Sequence, residues 1–283
     1  MDLSKNKYLL LFLALLAVSS SAWVVRFLPE LSSTTIAFWR MFLASIMAFI
    51  LSYKTFFSFV PDKRILFAGM FLGFHFALFF RSVQLTSIAE AALLGTIAPV
   101  FTESFSIVFQ KKKFSSKVFF GLLLALLGAY ILISKSNFSQ TSSMGNVLAV
   151  LCSVAMAVVL IVGKNIRKSV GLFEYSRWLF LYASVCLFVV SFFDGSNIFE
   201  FETGDFGWFV FLAAIPTMVG HNIFYFLVKY LSTTTIAAVP LGEPLISSFG
   251  AYFLFGEPVS VVVFLGGATT LLGVFIIIKN DPS

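Results

Sequence analysis

The sequence predicts an all-α integral membrane protein, with ten transmembrane helices arranged as two inverted five-helix repeats. Three observations support this fold class. First, 59% of the 283 residues are hydrophobic and only 11% are charged, too few to cover a water-soluble body of 31.3 kDa. Second, the apolar residues fall into runs of membrane-spanning length. Third, the two halves of the chain align with each other. The composition disfavours soluble enzymes, nucleic-acid-binding domains and disordered regulators.

Ten apolar runs are long enough to cross a bilayer, which takes about 20 residues of α-helix. The alternation of period two that is typical of outer-membrane barrel strands is missing from the sequence, so we predict helices. Lys5 and Lys7 before the first run also fit a secretory signal. That run is long for a signal, and the repeat needs it, so we expect it to be retained. The ten runs are 8–28, 33–53, 64–84, 86–109, 117–134, 145–164, 173–193, 206–229, 235–255 and 258–278.

An internal repeat divides the chain in two. A shift of 145 residues aligns the fourth and fifth runs with the ninth and tenth. Each half holds five helices, an odd number, so the second half must enter the membrane from the opposite side. We therefore predict two five-helix repeats over 1–140 and 141–283, related by a pseudo-two-fold axis in the membrane plane. The most informative aligned pairs are Pro99 with Pro244, Gly121 with Gly266, Gly128 with Gly273 and, with one more residue of shift, His75 with His221.

Basic residues are distributed unevenly between the two sides of the membrane. Cytoplasmic loops are enriched in lysine and arginine, so we predict a cytoplasmic (inner) membrane protein with both termini in the cytoplasm. The net charge of +6 then follows from topology and anionic lipid, and we expect a lipid bilayer as partner and no nucleic acid. Three basic residues lie outside, Arg26, Arg81 and Lys135, and fourteen lie inside, Lys5, Lys7, Lys54, Lys63, Arg64, Lys111, Lys112, Lys113, Lys117, Lys164, Arg167, Lys168, Lys229 and Lys279.

Several short motifs resemble one family of transporters. They are Phe38-Trp39-Arg40, Val83-Gln84-Leu85-Thr86-Ser87-Ile88-Ala89, Glu243-Pro244 and Leu254-Phe255-Gly256-Glu257. Together with the 5+5 arrangement, they make the chain similar, over nearly its full length, to the EamA-like members of the drug/metabolite transporter superfamily. The resemblance implies a ten-helix transporter of the inner membrane without naming a substrate. Ala98-Pro99 stands opposite Glu243-Pro244, and Lys112 stands where the family has a glutamate, so equal contributions from the two halves are not assumed.

Polar side chains within the apolar runs are the candidate site residues, because charges are costly in hydrocarbon and face the protein interior. The fourth, eighth and ninth helices each carry one polar stripe at helical spacing, through Glu103, His221 and Glu243 respectively. Pro99 and Pro244 each remove a backbone hydrogen bond near mid-span and predict helix breaks. The predicted substrate- or proton-binding residues are Glu243, His221, Glu103, Tyr225, Ser247 and Arg40.

Alternative interpretations remain open for several of these residues. Glu243 also fits a protonated carboxyl bonded to a neighbouring helix. Arg81 and Glu90 flank one outer turn and predict an ion pair, which acts either as a gate or, with Arg40, as a network that holds helices together. Arg177 is expected to extend towards the lipid headgroups. The small residues of the fifth and tenth runs, such as Gly128, predict close helix packing or a homodimer face.

These patterns predict a secondary-active transporter that exports a small organic metabolite or amino acid by alternating access around a midplane cavity. An inverted repeat suits alternating access, because exchanging the conformations of two similar halves moves the opening across the membrane. The sequence carries no P-loop, dinucleotide-binding, zinc-hydrolase or serine-hydrolase motif, so we expect no cofactor, no metal and no catalysis. The alternatives are a membrane-embedded enzyme or lipid flippase-like protein that uses Glu243 and His221, and a passive channel.

Overall fold

Ten consecutive helical spans make up the described part of a computed structural model of the protein. This part comprises residues 6–55, 61–86, 88–133, 142–256 and 261–281, without the side chains at 22, 26, 88–90, 132, 133 and 251. Within it, nine spans are long and apolar enough to cross a membrane, and the remaining one, over Ser116–Ile131, is a shorter apolar helix. The predicted all-α membrane fold is therefore confirmed. Helices form because each satisfies its backbone hydrogen bonds internally where no water is available.

Six spans are single helices and four are interrupted. The interrupted spans are α1, α4, α8 and α9, and the segments of α4 and α9 are labelled a and b. In order, the spans are α1 (Lys7–Ser19 and Ser21–Phe27), α2 (Ser33–Leu51), α3 (Lys63–Leu85), α4a (Ile88–Gly95) and α4b (Ala98–Val108), α5 (Ser116–Ile133), α6 (Ser143–Ile166), α7 (Leu172–Asp194), α8 (Phe206–Leu212, Ala213–His221 and Asn222–Leu227), α9a (Thr233–Ala238) and α9b (Glu243–Phe255), and α10 (Val261–Lys279).

Helix contacts follow the internal repeat. The helix α3 packs against α6 and α7. Its counterpart in the repeat, α8, packs against α1 and α2, which are the counterparts of α6 and α7. In the same way α4 packs against α6, while α9 packs against α1. Three further pairs join a helix to its own counterpart, namely α2 with α7, α4 with α9 and α5 with α10. Exchanging the two halves thus reproduces the packing pattern, as an inverted repeat requires.

The crossing of α5 and α10 depends on glycine. A Cβ atom placed on Gly128 would lie 2.3 Å from the backbone nitrogen of Thr270, and one on Gly273 would lie 2.4 Å from that of Ala125. No side chain fits in such space, so glycine lets the two backbones touch. The glycine faces of α5 and α10 therefore pack against each other within one chain. The homodimer through these helices stays a prediction.

Arg177 does not extend to the headgroups as expected. Its side chain is fully buried, and its guanidinium donates to the backbone oxygens of Ser52 (3.2 Å) and Thr55 (3.0 Å) just beyond the end of α2. The ring of Phe49 lies 5.4 Å from the guanidinium carbon. Carbonyl oxygens at a helix end have no partner within the helix, so this arginine caps α2 from α7.

We predict that Gly128→Ala destabilises the protein, because the new methyl group would collide with the backbone of α10. Overpacking of this kind lowers the free energy of unfolding by about 1–3 kcal/mol. Gly207→Ala is the matched control, since no atom lies within 4 Å of the Cβ position there. Unfolding of both variants in detergent micelles, by heat or by denaturant, measures the difference. Equal stability of the two variants would contradict the close α5–α10 crossing.

Candidate functional site

A cavity lies between helices of both halves, at mid-depth in the helical bundle. It holds about 740 Å³ of empty space, including its mouth, and α1, α2, α3, α4, α6, α8 and α9 contribute to its walls. Large apolar side chains such as Phe76, Phe79 and Met156 form much of the wall. A mostly apolar cavity with a few converging polar groups is typical of a small-molecule site. The polar lining residues are Ser21, Arg40, His75, Thr96, His221, Tyr225 and Glu243.

The breaks in α4 and α9 bring backbone and polar groups to this cavity. The helix α4a ends at Gly95, where the Thr96 hydroxyl donates to the carbonyl of Ala92 (2.8 Å), and α4b starts again with Pro99 in its first turn. The span α9 narrows to a 3-10 turn over Val239–Gly242 before α9b begins at Glu243. Proline is well tolerated in a first helical turn because its missing N–H has no partner there anyway. Each break therefore lies immediately before Pro99 or the Glu243-Pro244 pair.

The span α8 departs from α geometry where it faces the cavity. Residues Ala213–His221 form a π-helical segment that contains Pro216. Proline cannot donate to the preceding turn, and the Thr217 hydroxyl instead donates to the carbonyl of Leu212 (2.8 Å). Segments of this kind are frequent at functional sites. This π-helical segment was not predicted, although Pro216 inside an apolar run is a signal for it in the sequence.

Arg40 is held inside the bundle by groups from both halves. Its side chain is 1% exposed. Nε donates to the Thr217 hydroxyl (2.8 Å), Nη1 donates to the Ser21 hydroxyl (3.2 Å), and the guanidinium carbon lies 4.4 Å from the ring centre of Phe76. Nη2 is buried with no hydrogen-bond partner. Arg40 thus belongs to the cavity and not to an ion-pair network with Arg81.

Three of the predicted site residues meet Arg40 at the cavity. Glu243, His221 and Tyr225 all line it, and Glu243 and Arg40 interact electrostatically. Within the described residues no ion pair joins Glu243 to Arg40, and no hydrogen bond joins it to His221. The Tyr225 hydroxyl is buried without a partner. The cavity wall therefore holds one positive and one negative side chain at a distance from each other.

The two histidines of the repeat also lie on the cavity wall. The ring centres of His221 and Phe76 are 5.6 Å apart, and Phe76 and His75 are neighbours on α3. His75 Nδ1 lies 3.0 Å from the carbonyl oxygen of Cys152 and 3.2 Å from its sulfur. His75 and His221, which align with each other in the internal repeat, therefore line the same cavity.

Glu103 and Ser247 do not line the cavity, although both were predicted to bind substrate or protons. Glu103 pairs with Lys112 (2.7 Å) and accepts from the Thr234 hydroxyl (2.7 Å), which joins α4b to α9a. The Ser247 hydroxyl donates to the carbonyl of Ser19 (3.3 Å), which joins α9b to α1. Both residues thus bond to a neighbouring helix.

The predicted pairing of Arg81 with Glu90 falls partly outside the described residues, which do not include the Glu90 side chain. Arg81 is exposed, and its Nη1 donates to the Gln84 side-chain oxygen (3.2 Å). No group of three or more His, Cys, Asp or Glu side chains in the described ranges is arranged to hold a metal ion.

Comparison with known proteins gives consistent results. The model of the EamA-like transporter family matches residues 5–134 and 143–279. An uncharacterized transporter of Archaeoglobus fulgidus is 26% identical over 76% of this chain and 76% of its own length. UDP-xylose transporter 3 of Arabidopsis thaliana is 29% identical over 72% of this chain and 56% of its own length. One crystal structure superposes with a TM-score of 0.82 at 14% identity, covering 96% of both chains, which supports the same fold.

We predict that Thr217→Val destabilises the protein, because it removes the acceptor for Arg40 Nε and the donor to the Leu212 carbonyl together. Leaving a buried donor without its acceptor costs about 1–3 kcal/mol, and more when the donor is charged. Thr217→Ser keeps the hydroxyl and is expected to stay close to the parent protein. Denaturant unfolding in mixed micelles compares the two variants. If valine and serine have the same effect, Thr217 does not hold the guanidinium.

Proposed function

The chain belongs to the EamA-like transporter family, and on that premise we propose that it is a secondary-active transporter that exports a small organic metabolite, such as an amino acid, by alternating access. The observation that carries this proposal is the mid-depth cavity, which residues of both halves line. Sites at the interface of two repeats are typical of secondary transporters. The proposed direction, export, rests on the resemblance to drug/metabolite transporters. The relatives are named as transporters, which favours transport over catalysis.

In the proposed mechanism the halves 1–140 and 141–283 rock around the cavity. The contact between α4b and α9a, which includes the Glu103–Thr234 hydrogen bond (2.7 Å), holds the proposed cytoplasmic side together. The breaks before Pro99 and Pro244 provide points where α4 and α9 can bend. Opening of this contact would turn the cavity towards the cytoplasm.

Glu243 is the proposed proton carrier, with His221 as a second protonatable group. Both side chains line the cavity, and Glu243 stands at the break of α9. Intramembrane carboxyl groups are typical of proton relays in transporters. The proposed location is the cytoplasmic membrane, with both termini in the cytoplasm, which the uneven distribution of basic residues supports.

We predict saturable flux of at least one small metabolite when the purified protein is reconstituted in liposomes and tested with a panel of labelled solutes. Flux by the parent protein is expected to depend on pH, and Glu243→Gln is expected to remove that dependence. Glu200→Gln, a change on an exposed loop residue, is the control and should keep it.

The possible results separate the alternatives. Flux that rises linearly with concentration would indicate a passive channel, and flux no greater than in empty liposomes for every solute would contradict transport. A pH dependence that survives unchanged in Glu243→Gln would contradict the proton-carrier role alone.

A further inference from the structure

We infer that the cavity binds a small, net-neutral zwitterion, with its carboxylate on Arg40 and its ammonium group on Glu243. This inference rests on the proposed transport function and names the charge class of the substrate. It follows from the arrangement of two oppositely charged side chains on one cavity wall. Arg40 has one guanidinium nitrogen without a hydrogen-bond partner, and the Glu243 carboxylate has neither a hydrogen bond nor an ion pair among the described residues.

Arg40 provides the anion site. Thr217, Ser21 and Phe76 fix the guanidinium from three different helices, so its orientation is set before any ligand arrives. Nη2 has no protein partner although the residue is 1% exposed. A buried charged donor without a partner is unfavourable, and a guanidinium matches the two oxygens of a carboxylate. A ligand carboxylate would therefore supply the hydrogen-bond acceptor that Nη2 lacks.

Glu243 provides the cation site. It is the first residue of α9b, it lines the same cavity, and the described residues offer its carboxylate no hydrogen bond and no ion pair. Its charge interacts with that of Arg40, but the two side chains do not form an ion pair with each other. A ligand that places a cation at Glu243 and an anion at Arg40 would satisfy both groups at once.

The charge count of the wall disfavours solutes with a large net charge. Among the described lining residues, Arg40 and Glu243 are the only Arg, Lys, Asp or Glu side chains, and the other titratable groups facing them are His75, His221 and Tyr225. A nucleotide sugar such as UDP-xylose carries two phosphate charges, which one guanidinium beside a carboxylate would not balance. Burying an unbalanced charge is strongly unfavourable. The substrate class is thus expected to differ from that in the name of the plant relative.

The rest of the wall fits an apolar side chain. Large apolar side chains line the same cavity beside the charged groups, namely those of Phe76, Phe79, Met156, Leu160 and Ile236. A compact amino acid with an aliphatic or aromatic side chain satisfies the charges and this apolar surface together.

The test uses three probes that share one apolar skeleton: L-leucine, isocaproate, which lacks the amine, and isoamylamine, which lacks the carboxylate. For the full-length protein in detergent and in liposomes, we expect saturable leucine binding and flux, with each single-charge analogue at least about tenfold weaker. Glu243→Gln should weaken leucine by about tenfold or more and bring it level with isocaproate. Arg40→Gln should bring leucine level with isoamylamine, and Arg40→Lys should restore part of the preference for leucine.

The readout is the ratio between probes within one variant, because a variant that merely folds poorly loses all three probes together. Ser248→Ala, a change on α9b outside the cavity wall, is the control and should keep the ratios of the parent. Equal affinity for leucine and isocaproate in the parent, or saturable flux of UDP-xylose, would overturn the inference and leave transport standing. Leucine binding without flux would support the zwitterion site and contradict the proposed transport.

Discussion

Hydrocarbon cannot hydrate a guanidinium, and this constraint on Arg40 governs the centre of the molecule. Ser21 on α1, Phe76 on α3 and Thr217 on α8 surround the group, so both halves of the repeat are needed to hold it. The hydroxyl on α8 is presented by a π-helical segment, where Pro216 removes a donor and Thr217 replaces it. The π-helical segment of α8 therefore presents a hydroxyl that accepts a hydrogen bond from the buried Arg40 guanidinium.

The α5–α10 and α4–α9 contacts both join the two halves, and they differ in how easily the helices can move relative to each other. The α5–α10 crossing is backbone against backbone at Gly128 and Gly273, which leaves little room for sliding. The α4–α9 contact instead involves interrupted helices and a polar cluster around Glu103. Packed interfaces switch between discrete arrangements more readily where helices are broken and polar groups can change partners. In the proposed mechanism, α4–α9 is therefore the moving contact and α5–α10 the fixed one.

Much of the fold could be predicted from the sequence, because helix length in a membrane is set by bilayer thickness and the repeat is visible in its prolines and glycines. Helical spacing places Glu243, His221 and Tyr225 on polar faces of their helices, and in the structure all three line the cavity. Their role in binding stays a prediction. Glu103 and Ser247 were also predicted from polar stripes, but their side chains bond to neighbouring helices and do not line the cavity. Spacing alone does not say which neighbour a stripe faces, and their role in binding stays a prediction. The partners that hold Arg40 could not be predicted, since its hydrogen bond to Thr217 joins α2 to α8, which lie far apart in the chain.

The central claim is that Arg40 and Glu243 are complementary halves of one ligand site. An experimental density map of the protein with bound L-leucine tests it most directly. The account predicts the ligand carboxylate within hydrogen-bond distance of Arg40 Nη2, about 2.7–3.2 Å, with its amine at the Glu243 carboxylate and its side chain towards Phe76. Density for leucine elsewhere, or a direct ion pair between Arg40 and Glu243 that leaves no room for it, would contradict the account.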